Sequence, residues 1–391
     1  MAHAPQAQTP GSRTRDLRLD FFRGLSLFFI FIDHIPDNIL ANFTLRSVAF
    51  CDAAEVFIFI SGFTAALVYG AAMRQGGAFY AAAHIYRRVW QLYVAHIFLF
   101  VIFTAEVSYT LLSVDAPMYT EEMGVGNFLY EPHVAIVQAL LLRFQPTFLD
   151  ILPLYIVLLA AFPVILMLIH RHPLLALIPS GALYAGTQVF GWTLSAYPEG
   201  HIWFFNPFAW QFLFVLGAMW GDARVIGRRV VSGRVWLIRA ASVTAAFAAI
   251  INLTWTLHWL HDPFPGLLLR SLWGYTIDKT DLAPLRLINF IALAVVLVRI
   301  VPQDSPFLRW RSMRPIILCG QNSLYIFCLG IVLSVLGQFM LAEVSHRFAM
   351  QLAISLLGIT AMIGTALVIA WYKSAVRRTA KAGFSDTEQL S

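Results

Sequence analysis

The sequence predicts an all-α, polytopic membrane protein with about ten transmembrane helices and both termini in the cytoplasm. Three observations carry that prediction. Of the 391 residues, 59% are hydrophobic, and the mean hydropathy is +0.71. Only 12% are charged, about half the ~25% of soluble domains. Basic residues fall unevenly on alternate loops. This composition excludes a soluble enzyme, a disordered chain and a fibrous protein. Three cysteines, Cys51, Cys319 and Cys328, supply no disulfide framework. A pI of 9.3 fits a chain oriented by its basic loops better than a nucleic-acid binder.

Apolar stretches of about 20 residues cross a bilayer as helices. Ten are read in chain order: 19–39, 53–73, 89–112, 149–169, 173–190, 207–222, 234–257, 284–302, 315–338 and 348–372. Residues 1–15 read as a disordered cytoplasmic N-terminus, 16–379 as the ten-helix domain and 380–391 as a cytoplasmic tail. The first apolar segment has no small-residue cleavage site, so no cleavable signal peptide is expected. One set of loops and span ends holds 21 of the 27 basic residues; the other holds Arg46, Arg143, Arg270, Lys279, Arg286 and Arg347. Basic-rich loops stay inside, which places both termini in the cytoplasm and makes the span number even. The three longest connections, 113–148, 191–206 and 258–283, then lie outside. They carry Trp192, Trp203, Trp259, Trp273, Tyr197 and Tyr275. These aromatics read either as an interfacial belt or as a stacking platform for sugar rings.

The first span holds the ionisable residues that lipid disfavours most. Arg23 and His34 are eleven residues apart, which is about 20° beyond three turns and roughly 16 Å of rise. They therefore share one face and connect the two sides of the membrane. Asp20 and Arg23 have the i, i+3 spacing of an ion pair. Pro36 cannot donate to the carbonyl of Ile32, so the helix is expected to break beside His34. Asp33 is adjacent to His34, and the second span opens on Asp52 and Glu55. Glu55 or Asp52 is a candidate to hold the imidazole in one tautomer and raise its basicity. Such a histidine reads as the acceptor of a proton from a hydroxyl attacking an activated acyl group. His34, His96, His201, His258 and His261 form no i, i+4 ligand pair, so no metal is expected.

Further along, Arg87 and Arg88 enter the third span, as topology-setting charges or as a site for donor phosphates. Asn206, Trp210 and Gln211 mark the sixth span, and Gln321, Asn322 and Ser323 follow Gly320 in the ninth. Uncharged polar residues of this kind also join helices. Neither a Gly-x-Ser-x-Gly elbow nor a P-loop is present.

The run Leu19-Asp20-x-x-Arg23-Gly24 followed by His34 resembles the opening of the membrane acyltransferase superfamily of the acyltransferase-3 type. Phe59-Ile60-Ser61-Gly62-Phe63 resembles its second-helix Ser-Gly-Phe motif, and Gly320-Gln-Asn-Ser323-Leu324 its late Gly-x-x-Ser-Leu element. Within that superfamily the chain is similar to the OpgC family, succinyltransferases of osmoregulated periplasmic glucans. His34-Ile-Pro36, Ala54-Glu55-Val-Phe57, Asn206-Pro-Phe-Ala-Trp210-Gln211 and Asp278-Lys279-Thr280…Pro284-Leu-Arg286 carry that likeness. The resemblance implies a bacterial inner-membrane enzyme that takes an acyl group from cytoplasmic acyl-CoA, with no bound cofactor, and passes it to a periplasmic glucan. By the same implication Arg23 faces the donor and His34 the transfer step; Arg88 and Asp20 are further donor-side candidates, and Glu55 and Asp33 further catalytic ones. Asp52, Ser61, Gln211, Asn322, Ser323, Lys279 and Arg286 are supporting candidates; Asn322 would steady the oxyanion, and Lys279 or Arg286 would meet a succinyl carboxylate. Two positions depart from the broader pattern: Gln91 stands where a second arginine often follows Arg88, and Gly330 where a histidine often ends the late element. A transporter or flippase of a saccharide or lipid-linked intermediate is the alternative that buried polar groups in ten helices also fit.

Overall fold

The computed structural model describes residues 15–113, 123–225, 234–257 and 277–388. Among them are twelve α-helices and no strand. In chain order they are α1 (Leu17–Asp33), α2 (Ala53–Ser113), α3 (Gly126–Tyr130), α4 (Pro132–Leu140), α5 (Ile151–Arg171), α6 (Pro173–Phe190), α7 (Pro207–Val225), α8 (Val235–Thr256), α9 (Pro284–Ile300), α10 (Arg314–Gln321), α11 (Ser323–Glu343) and α12 (Phe348–Glu388). Six are long and apolar enough to cross a membrane: α2, α5, α6, α8, α11 and α12. The chain is a membrane protein.

Local chemistry sets the helix ends. α1 starts at Asp16, whose carboxylate accepts from the Arg18 amide, and stops at Asp33, three residues before Pro36. The break expected from the proline is therefore present. α2 opens on a reciprocal cap. Asp52 accepts from the Ala54 amide at 2.8 Å, and Glu55 accepts from the Asp52 amide at 2.9 Å.

Expected and observed helix boundaries differ at several places. The second and third spans fall on one 61-residue helix, α2, bent at Gly77. There φ is +81° with open space where a Cβ would stand, so backbone conformation rather than packing requires glycine. The ninth span is two helices, α10 and α11, parted at Asn322, whose side-chain amide donates to the Leu318 carbonyl. The connection 113–148, expected on the outer side, contains the short helices α3 and α4. α12 continues to Glu388, into the expected tail, while residues 1–14 and 389–391 lie outside the described residues.

Lipid offers no hydrophobic drive for helix association, so close packing through small residues matters. A Cβ on Gly24 would overlap the Ile316 carbonyl oxygen, and one on Gly320 the Asp20 carbonyl oxygen. α1 and α10 thus meet backbone to backbone. α2 and α7 do the same: Gly62 lies against the Phe214 carbonyl, Gly217 against Phe59 and Gly221 against Phe63. Around these contacts the core is filled by Phe31, Phe57, Phe162, Trp210 and Phe214, all buried.

Candidate active site

Two cavities open on α1, one toward each end, and are labelled inner and outer after the orientation expected from the loop charges. The inner cavity, about 740 Å³, is lined by Arg15, Asp16, Asp20, Arg23, Ser61, Thr64, Arg74, Arg88, Tyr155, Arg224 and Ser323, with Phe57, Leu324 and Phe327 on its apolar part. The outer cavity, about 880 Å³, is lined by His34, Asn127, Tyr130, Gln145, Thr147, Phe148, Asp150, Tyr197, His201, Phe204, Phe205 and Lys279. Arg23 and His34 therefore occupy different cavities on one helix, about 16 Å apart along its axis.

In the inner cavity the arginines differ in their partners. Asp20 is not paired with Arg23 as its spacing suggests. Arg15 holds it at 2.6 and 2.9 Å, and Gln321 donates to it at 3.1 Å. Asp16 is held by Arg18 and Arg224; burial alone would raise its pKa, and the two guanidinium groups outweigh that and lower it. Arg23 donates to the Thr64 hydroxyl at 2.7 Å and the Ile60 carbonyl at 3.2 Å. Arg74 meets His170 at 3.3 Å, and Arg88 donates to Gln91 at 3.2 Å. Arg23 and Arg88 thus bond neutral acceptors and keep their charge for an anion. Ser61 and Ser323 stand on the same wall. Asn322 accepts from Lys373 at 2.7 Å and lines neither cavity.

Behind the outer cavity sits an ion cluster. Arg286 binds Glu55 at 2.6 and 2.7 Å and Asp52 at 3.3 Å, and Lys279 binds Asp52 at 2.7 Å. Glu55 is fully buried. These bonds correct the expected pairing, since neither Glu55 nor Asp52 bonds the imidazole. Asp33 accepts from the Thr44 hydroxyl at 2.7 Å and lies 3.4 Å from Arg46. The His34 ring packs on Phe148, centroids 4.5 Å apart, and its Nδ1 is buried with no hydrogen-bond partner among the described residues.

Lys279 is positioned by the sixth-span motif. Trp210 donates its indole N–H to the carbonyls of Lys279 and Thr280, and Asn206 donates to Asp281 and to the Trp192 carbonyl. The loop after residue 277 is thereby pinned to the start of α7, with the Lys279 ammonium over the rings of Phe204 and Phe205. Gln211 bonds Ser180 and joins α7 to α6. Of the outer aromatics, Tyr197 lines the cavity, Trp203 is buried, and Trp192 stacks on Phe190. Trp259, Trp273 and Tyr275 lie outside the described residues. The sequence reading missed Arg15, Arg74, Arg224, Tyr155, Phe148 and Asp150 as lining residues.

The family model described as OpgC protein matches residues 15–374, which covers both cavities and every site residue discussed. The chain belongs to the OpgC family. No match is found among curated proteins or among solved structures. Membership in the OpgC family makes the protein a transferase connected with glucan.

Proposed function

We propose that this OpgC-family protein is an inner-membrane O-acyltransferase with ten spans and cytoplasmic termini. It moves an acyl group, succinyl by family, from cytoplasmic acyl-CoA to hydroxyls of a periplasmic glucan. One observation carries the reading: a single helix presents Arg23 to a basic cavity and His34 to a second, aromatic-lined cavity. The anionic donor docks on Arg23, Arg74 and Arg88, with its thioester toward Phe57, Tyr155 and Phe327. His34 serves as general base or acyl relay. In the direct route the acceptor O–H gives its proton to the imidazole while the O–C bond forms. The C–S bond breaks, and the sulfur leaves with the electron pair and is later protonated. Of the two cations suggested for a succinyl carboxylate, Lys279, paired with Asp52 at 2.7 Å, lines the outer cavity, whereas Arg286, held by Glu55 and Asp52, does not.

The test compares wild type with His34→Ala in a host lacking the gene, at equal membrane levels. Periplasmic glucans are extracted and their ester content is read by mass spectrometry. Esters with wild type and none with the variant are expected, and the mass increment names the acyl group. Esters unchanged by the variant overturn the role of His34. Their absence with wild type overturns glucan as the acceptor and favours another acceptor or transport.

A further inference from the structure

The outer cavity needs an acidic group to hold a sugar, because a carboxylate is the strong acceptor for a hydroxyl donor. Every acid the sequence placed near His34 is engaged elsewhere. Asp33 is held by Thr44 and Arg46, Asp52 by Lys279 and Arg286, and Glu55 by Arg286. Asp37 is exposed and does not line the cavity. Among the described residues on that wall the one carboxylate is Asp150.

Asp150 stands directly before α5, where an aspartate usually caps the helix. Here its side chain makes no capping hydrogen bond, and the backbone donors that favour its charged form are its own amide and that of Ile151. The segment leading to it is shaped at a conformational cost. Phe148 has φ +73°, a region that a bulky L-residue rarely adopts. The Thr147 amide donates to the Met123 carbonyl at 3.2 Å, and the Leu149 amide to the Pro146 carbonyl at 3.0 Å, which holds the turn. The turn sets the Phe148 ring on His34 and leaves Asp150, two residues on, in the same cavity wall. Tyr130 and Tyr197 are also on that wall, and Tyr130 is highly exposed. Aromatic faces with one carboxylate form a surface suited to a saccharide.

We propose that Asp150 is the acceptor-binding carboxylate: it takes a hydrogen bond from a hydroxyl of the saccharide and so presents the reacting hydroxyl to His34. The proposal deepens the acyltransferase reading and rests on it. Phe148 is the positioning residue that fixes the carboxylate relative to the imidazole.

The test is kinetic, on the purified full-length protein in liposomes, with succinyl-CoA as donor and extracted host glucan as acceptor. Thiol release is followed against each substrate for wild type, Asp150→Asn, Asp150→Glu and His34→Ala. A hydrogen bond to a charged group contributes about 1.5–3 kcal/mol, so Asp150→Asn is expected to lower kcat/KM for glucan about 10- to 150-fold. The KM for succinyl-CoA stays at its wild-type value, and Asp150→Glu recovers part of the loss. Where Asp150→Asn fails to reach the membrane, Asp150→Ser is read in the same way. An Asp150→Asn enzyme within twofold of wild type, beside an inactive His34→Ala, overturns this proposal alone. So does a donor KM that rises as much as the acceptor KM. No thiol release by wild type overturns the acyltransferase reading itself.

Discussion

Replacing Arg286 by methionine tests whether the ion cluster behind the outer cavity is a structural clamp. The substitution leaves Glu55 fully buried and without its guanidinium partner, since its other bond is to the Asp52 amide. Breaking a buried pair from one side costs about 3–5 kcal/mol, because the remaining charge is uncompensated. Unfolding entropy of about 2.1 cal/mol/K per residue over 391 residues gives ~0.8 kcal/mol/K. The loss therefore corresponds to a fall of about 4–6 °C in the apparent midpoint. Glu55→Leu alone is milder, because Arg286 keeps Asp52 at 3.3 Å. The double variant Glu55→Leu/Arg286→Met removes one charge of each sign and keeps the Asp52–Lys279 pair at 2.7 Å. It is expected to regain most of the midpoint. The assay heats detergent-solubilised protein and reads the surviving monodisperse peak by fluorescence-detected size exclusion. A double variant as unstable as Arg286→Met, or an Arg286→Met midpoint within about 1 °C of wild type, refutes the clamp.

Other predictions follow from the helix contacts and the cavities. Gly320→Ala puts a methyl into the Asp20 carbonyl and costs about 1–3 kcal/mol by overpacking, read as a lower midpoint in the same assay. Gly364→Ala, with open space at its Cβ, leaves the midpoint unchanged. Lys279→Gln is expected to cut thiol release from succinyl-CoA about tenfold relative to acetyl-CoA, from the loss of a charged hydrogen bond; an unchanged ratio excludes Lys279 as the carboxylate reader. For Asp16, whose pKa Arg18 and Arg224 hold below normal against the opposing effect of burial, the stabilisation is full above the unfolded value of about 3.9. It is lost as pH falls through the depressed folded value. The midpoint of wild type should therefore drop in acid more steeply than that of Asp16→Asn, in a pH series of the heating assay.

What the sequence made legible was local. The eleven-residue interval between Arg23 and His34 follows from helix periodicity alone, and the end of α1 follows from Pro36. The second span opens on Asp52 and Glu55 in the sequence, and in the structure these two acids form the cap of α2. Pairing was less legible wherever partners are distant in the chain. Asp20 meets Gln321 across 301 positions and Glu55 meets Arg286 across 231. For Asp20 the i, i+3 interval to Arg23 gave the wrong partner even locally, since Arg15, five positions earlier, holds both its oxygens. The Gly217-x-x-x-Gly221 spacing does announce a close helix contact and was available to a reader. The left-handed backbone of Phe148 was not, because nothing in a bulky aromatic residue signals it.

The same glycine contacts bear on how the two cavities cooperate. A transporter alternates access by moving one bundle of helices against another around a fixed site. α1 is poorly suited to such sliding, because Gly24 and Gly320 bring its backbone onto α10 with no side chain between them. Farther along, Phe31 fills the space where Gly358 would carry a Cβ, and Ile35 packs on Gly337. Close-packed contacts of this kind are displaced in discrete steps rather than deformed smoothly. With α1 held at both ends, the interval of about 16 Å between Arg23 and His34 is a fixed length. In the proposed acyl transfer, the acyl group would have to cover that distance while the helix stays in place, as a flexible carrier allows. The packing of α1 therefore favours movement of the acyl group along the helix over movement of the helix itself.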